Sequence, residues 1–311
     1  MTGSSSPAFT DSSQVPAKGA LNIDHVAHFA PHVDAASAAL EKLGFTLTPF
    51  SPQSHRTEPG GPLVPAGTGN RCVMLQSGYL EFLSPTGDTP VANQIRTAIK
   101  RYVGVHLIAF GTADPAADHA RIAKAGFKPL DPVALQREID TERGPETARF
   151  TVVRVPPGTM PEGRIQFCHQ LTPRLLWQER WMSHPNRASA LAGVLLRVAD
   201  AQEAAQRFAR YTGLLAQVTG SVWRIDTSRG YLIFVDRDTL HRRLGVMPPT
   251  LPWIAGYVLK SDDIQVTGDH LRAAGIPVHV LGNQRLLVQM PPAVGGTLIF
   301  EPKNSGVLNF D

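Results

Sequence analysis

The sequence predicts an α+β chain of four βαβββ modules, paired into two curved-sheet domains. Three observations carry that prediction. A plan of apolar strand, helix-like run and Gly-hydrophobic pair recurs four times, and internal repeats of this kind define an architecture. A chain of 311 residues has the length of about two domains. With 42% apolar and 18% charged residues, its composition is that of an ordinary globular protein.

The first repeat opens with Leu21-Asn22-Ile23-Asp24-His25-Val26-Ala27-His28-Phe29-Ala30, followed by a helix over Asp34 to Lys42 and by Gly44-Phe45. The second opens at Val103-Gly104-Val105-His106-Leu107, with a helix to Ala125 and then Gly126-Phe127. The third runs from Leu191 to Val198, then Ala201 to Tyr211, then Gly213-Leu214. The fourth runs from Trp253 to Leu259, then Asp263 to Ala274, then Gly275-Ile276. Glycine suits the left-handed position that ends a helix.

Later strands complete each repeat. In the first they are Phe45 to Phe50, Asn70 to Leu75 and Tyr79 to Leu83, with a Pro- and Gly-dense loop from Ser51 to Gly69. In the second they are Phe150 to Val155 and Arg164 to Cys168, after a polar loop from Gln136 to Thr147. The third ends in Tyr231 to Val235 and the fourth in Gly296 to Glu301. One module exposes a sheet face that it cannot cover alone, so two side by side make a curved sheet with helices outside. The expected organisation is a disordered tail over 1–20 and a first domain over 21–171, with modules 21–84 and 102–171. A linker over 172–189 leads to a second domain over 190–302, with modules 190–236 and 252–302. A helical connector from Val91 to Lys100 joins the first two modules, and residues from Lys303 on form a loose end.

Charge and cysteine content narrow the function classes. The net charge is +4 from 30 basic and 26 acidic residues, without a Lys/Arg block of the kind a nucleic-acid groove needs. No stretch approaches the ~18 consecutive apolar residues of a membrane span. Cys72 and Cys168 lie among apolar strand residues without CxxC spacing and are expected to be reduced core thiols of a cytoplasmic protein, with one disulfide as the alternative. Gly67-Thr68-Gly69 lacks the Lys-Ser/Thr ending of a phosphate loop, and no Gly-x-Ser-x-Gly elbow occurs. The expected partner is a small-molecule substrate, with neither nucleic acid nor membrane, and self-association as a homodimer is left open.

Candidate chemistry comes from aligning the repeats. Glu81, Gln166, Ile233 and Ile299 fall at one place on the last strands. His25, His106, Val194 and Gly256 correspond on the first strands, give or take a residue. Two histidines and a carboxylate from different strands of one concave sheet make a metal site for Zn, Fe, Mn, Co or Ni, with the Gln166 amide as a fourth donor. Such a site leaves positions free for water or substrate. His28, three residues along the strand from His25, is expected to face away toward the outer helices. His32, His55 and Glu142 lie in or beside loops that can close over the concave face. His184, after Trp177 and Trp181, either lines the pocket mouth or anchors the linker. His55, Glu142 and His184 are the candidate catalytic groups.

The chain resembles the vicinal oxygen chelate superfamily, which comprises glyoxalase, bleomycin-resistance and extradiol dioxygenase proteins. The matching elements are Asp24-His25-Val26, Tyr79-Leu80-Glu81, Val105-His106-Leu107 and Ile165-Gln166-Phe167. The first half is also similar to glyoxalase-like domain proteins through Gly67-Thr68-Gly69-Asn70, Gly78-Tyr79-Leu80-Glu81 and His184-Pro185-Asn186. The resemblance implies a divalent metal held by His25, Glu81, His106 and Gln166. It implies isomerase or lyase chemistry on a small oxygenated metabolite, with an Fe(II) extradiol-type dioxygenase or a metal-free binding and sequestration protein as alternatives. The second domain carries no ligands at the matching positions.

Overall fold

The computed structural model describes residues 14–56 and 61–308, apart from the side chains of His55, Arg56, Arg237, Asp238 and Arg243. Four βαβββ modules are present. The first holds β1 (Asn22–Phe29), α1 (Val33–Lys42), β2 (Ser51–Arg56), β3 (Leu63–Met74) and β4 (Tyr79–Pro85). A connecting helix, α2 (Pro90–Arg101), leads to β5 (Gly104–Gly111), α3 (Pro115–Lys124), β6 (Val133–Thr141), β7 (Gly144–Arg154) and β8 (Arg164–Gln170). After α4 (Pro173–Leu176) come β9 (Ala188–Arg197), α5 (Ala201–Thr212), β10 (Ala216–Thr219), β11 (Val222–Asp226) and β12 (Tyr231–Val235). Then α6 (Arg237–Leu244) precedes β13 (Trp253–Ser261), α7 (Ile264–Ala273), β14 (His279–Leu281), β15 (Arg285–Gln289) and β16 (Thr297–Pro302).

Several helices start where short polar side chains satisfy free N–H groups. Thr89, Asp114, Asp200 and Asp263 each accept from a backbone N–H in the first turn of α2, α3, α5 and α7. Proline follows the cap in α2 and α3, where its missing N–H costs nothing.

In every module the first strand pairs parallel with the last, as β1 does with β4 and β5 with β8. First strands of neighbouring modules pair antiparallel, β1 with β5 and β9 with β13. The strand order is therefore β2-β3-β4-β1-β5-β8-β7-β6 in the first half and β10-β11-β12-β9-β13-β16-β15-β14 in the second. The halves are stitched into one sheet by the pair Val105–Ile254. One apolar cluster, with Leu40, Ile122, Phe208 and Leu271 from the helices, lies on the helix side of the sheet and spans both halves. Each half has its own second cluster on the opposite, concave face.

Several expectations are corrected. Phe45 to Phe50 is irregular, because Thr46 is tied to the linker: its N–H donates to His184 Nδ1 and its hydroxyl to the Ser183 carbonyl. Residues 51–56 and 63–69, and likewise 136–141 and 144–147, are not loop but strand, in the long hairpins β2–β3 and β6–β7; 57–60 lie outside the described residues. Residues 1–13 of the expected tail lie outside the described residues, but Gln14 is buried and its side chain bridges Gln76 O and Gly78 N. The end is not loose as far as Leu308, which is buried with its N–H on the Tyr231 hydroxyl. Among the described residues no helix is long and apolar enough to cross a membrane.

Candidate active site

A β-bulge creates the centre of the site. In β1, Ile23 pairs with Phe110 and His25 with Ala109, leaving Asp24 as the extra residue. Bulges break the alternation of strand faces. Ile23 and Val26 consequently share the helix-side core, and Asp24 comes within reach of the neighbouring imidazole. Asp24 Oδ2 accepts from His25 Nδ1–H at 2.6 Å and from Gln170 Nε2 at 3.0 Å. Both Asp24 and His25 are buried, and Tyr79 stacks on the imidazole at 4.4 Å between centroids. With Nδ1 committed, Nε2 is the nitrogen His25 offers to its surroundings.

Those surroundings are a pocket of about 340 Å³ on the concave face of β1–β8. His25, Glu81 and Gln166 all line it. The ladder explains the grouping: Ala109 is flanked by His25 on one side and Gln166 on the other, and Ala27 by Glu81. Three arginines, Arg137, Arg154 and Arg164, line the same pocket, with Leu107, Leu135, Phe150 and Val152 as apolar wall. A larger hollow of about 580 Å³ adjoins it, sharing Ser54, Gln136 and Arg137.

Glu81 is half-buried on the pocket wall. Its Oε1 accepts from Asn70 Nδ2 and from Gln53 Nε2, the latter at 3.4 Å. Asn70 Oδ1 in turn accepts from Arg137 Nη1 at 2.9 Å, so the carboxylate and this guanidinium are linked through one amide. Burial works against the Arg137 charge, but Cys72, Tyr79 and Glu81 favour it, and its pKa is raised. Burial pushes the Cys72 thiol up to about 11 and the Cys168 thiol well above its usual range, so neither is a ready nucleophile.

The structure does not bring His106 to this pocket. In β5, Val105 pairs with His28 and Leu107 with Ala27, so His106 is itself the bulged residue and the counterpart of Asp24. Leu107, not His106, holds the position that matches His25. The His106 ring is packed between Phe29 and Tyr102, with Nε2–H donating to the Tyr102 carbonyl at 2.8 Å. Burial lowers its pKa to about 4. The set His25, Glu81, His106 and Gln166 therefore does not fit a two-histidine metal centre: three members face one pocket, and the fourth donor position is a leucine. Among the described residues no three His, Cys, Asp or Glu side chains are grouped to hold a metal.

The remaining candidates lie elsewhere. Both nitrogens of His184 are used in anchoring, Nδ1 accepting from Thr46 N and Nε2 donating to Met74 O. Burial lowers its pKa to about 4. His28 does not face the outer helices but the other half of the chain: Nδ1 donates to Val294 O and Nε2 accepts from the Tyr257 hydroxyl. Glu142 is exposed at the β6–β7 turn, and His32 is exposed at the start of α1. His55 pairs with Val64 between β2 and β3, and its side chain lies outside the described residues.

Sequence reasoning missed Asp24, Arg137, Arg154 and Arg164. For Arg164 the signal was present: it sits two residues before Gln166 on one strand and so shares its face.

Comparison with known proteins bears on the family and the fold. A family model described as a glyoxalase-like domain matches residues 23–212, more than half of the chain. No curated protein matches the sequence. Among solved structures, a hypothetical protein from Staphylococcus aureus superposes with a TM-score of 0.61 at 10% identity, over 91% of this chain and 99% of that one. A xylose isomerase-like TIM barrel/4-hydroxyphenylpyruvate dioxygenase fusion protein gives 0.58 at 11% identity, and there 94% of this chain spans about half, 51%, of the other. A mutant of 4-hydroxymandelate synthase from Streptomyces coelicolor gives 0.54 at 13% identity, over 94% and 95% of the two chains. At these identities the likeness establishes the fold alone. The chain belongs to the glyoxalase-like domain family, within the vicinal oxygen chelate superfamily.

Proposed function

We propose that the concave pocket of β1–β8 is the active site of an enzyme that moves a proton on a small oxygenated metabolite, as an isomerase or lyase does. The observation that carries this reading is the Asp24–His25 dyad, with Nδ1 held by a buried carboxylate and Nε2 left to the pocket. Asp24 fixes the ring's orientation and tautomer, which is what a proton-transferring histidine requires. His25 Nε2 takes a proton from a carbon next to a carbonyl, and the oxygen gains the charge. The Gln166 carboxamide, on the same pocket wall, supplies an N–H donor for that oxygen. Return of the proton to another position completes an isomerisation without net oxidation. Membership of the glyoxalase-like family supports the reading without giving the substrate.

The test is solvent deuterium wash-in, read by NMR, on a panel of 2-hydroxyketones, 2-oxo acids and 2-hydroxy acids. Wild type is expected to exchange at least one of them, and His25→Asn to lose ~100-fold or more in rate while staying folded. Exchange unchanged in His25→Asn overturns the reading. Elemental analysis of the same preparations separates its forms. A metal lost with His25→Asn and accompanied by oxygen uptake in wild type points to the Fe(II) dioxygenase alternative. Ligand binding without turnover in metal-loaded and metal-free protein points to a binding and sequestration protein.

A further inference from the structure

The pocket carries more positive charge than the protein balances. Its lining holds three arginines and one carboxylate, Glu81, and the Glu81 carboxylate is tied through Asn70 to Arg137. Arg154 and Arg164 are left over. Among the described residues neither makes an ion pair. Arg164 has a single long hydrogen bond to Gln94 Oε1 at 3.4 Å, and Arg154 Nε is buried without an acceptor. They sit on adjacent strands, where Arg154 pairs with Gln166, two residues from Arg164. Burial holds both guanidinium groups below the usual arginine range, and the charge of Arg154 lowers Arg164 further. Two desolvated cations side by side are costly unless an anion meets them. Glu81 across the pocket offsets the Arg164 charge in part, but among the described residues no protein carboxylate forms an ion pair with either guanidinium.

We infer that Arg154 and Arg164 form the anion-recognition end of the pocket, so that its ligand is a small organic anion, a carboxylate or phosphate ester, with an apolar body. The inference rests on the proposed reading of this pocket as the ligand site, and it adds the ligand's chemical class. Paired guanidinium forks suit the oxygens of a carboxylate or phosphate. Leu107, Leu135, Phe150 and Val152 are there for an apolar body. Strands are about 4.8 Å apart, and Gln166 lies two strands from His25, so the anion would sit on the order of 10 Å from the dyad, within one small molecule's length.

The experiment is calorimetric binding of benzoate, phenyl phosphate and the neutral benzamide to the full chain. Benzoate or phenyl phosphate is expected to bind at least ~10-fold more tightly than benzamide, and Arg164→Gln and Arg154→Gln to weaken the anion at least ~10-fold each. Preference between the two anions tells carboxylate from phosphate. His25→Asn is expected to keep the anion preference, which separates this inference from the catalytic one: lost exchange with retained anion binding leaves it standing. Equal affinity for benzoate, phenyl phosphate and benzamide, no binding of any of the three to folded wild type, or binding indifferent to both arginine variants overturns it. Thermal melts of Arg154→Gln and Arg164→Gln check that both fold, and a free arginine pair predicts that neither variant is destabilised.

Discussion

The two concave faces of this molecule have one backbone plan and opposite contents. In the first half, β1, β4 and β8 present His25, Glu81, Arg164 and Gln166 to a pocket. The ladders put Gly193, Ile233, Thr297 and Ile299 at the same places in the second half. Asp24, the bulged residue of β1, is replaced by Ala192, the bulged residue of β9. At Gly193 a Cβ would meet the Tyr231 ring at 2.3 Å, so a histidine like His25 has no room there. The second face is then covered: Leu240 and Leu244 of α6, Val246 and Leu308 join Leu195, Ile233, Val258 and Ile299 in one cluster. A pocket and a core thus differ by a handful of side chains and by the segments the chain lays over them. The polar face keeps its cavity because filling it would strand the buried charges.

The largest expected effect breaks this division outright. Ile233→Glu places in the second half the carboxylate that the first half holds at Glu81, without Asn70 or Arg137 to receive it. Destabilisation of about 4 kcal/mol at pH 7 is expected in urea unfolding, because the group must either take up a proton or stay charged without a partner. A cost under about 1 kcal/mol would mean that the second face is not a closed core.

Acid should act next, through histidines that the second half lacks. His28, His106 and His184 are buried with pKa values lowered to about 3, 4 and 4. Folded values below the unfolded value of about 6.5 mean that the unfolded chain binds more protons, so stability falls as pH drops from about 6.5 toward 4. Each fully shifted group accounts for roughly 3 kcal/mol at the acid end. His106→Gln should flatten the stability profile between about pH 6.5 and 4, and an unchanged slope would contradict its buried, neutral state.

Smaller effects separate the covered face from the exposed hairpin. Leu308→Ala removes a buried side chain over the second face and should cost about 2 kcal/mol, read from the urea midpoint. Glu142→Ala, at the exposed hairpin tip, should stay within about 0.5 kcal/mol.

The repeats made the modules legible, since the strand, helix and Gly-hydrophobic plan recurs with its glycines at helix ends. Position along the first strands was not legible to one residue. The bulges at Asp24 and His106 switch the face of each later residue on the strand, and alternation alone cannot reveal an extra residue. The core residues do record it: Ile23 and Val26, like Val105 and Ile108, share a face three residues apart. The hairpins β2–β3 and β6–β7 hid because their strands carry polar residues on half-exposed faces. Arg137, on β6, was hidden with them.

The most direct test of the contrast between the two faces is where a ligand goes. Crystals soaked with 4-bromobenzoate would show it through the bromine anomalous signal. One peak is expected, in the pocket of β1–β8, with the carboxylate against Arg154 and Arg164 and His25 beyond the ring. A peak within the second half, or none in the first pocket while the compound binds in solution, would contradict the division of the molecule into a ligand-binding half and a closed one.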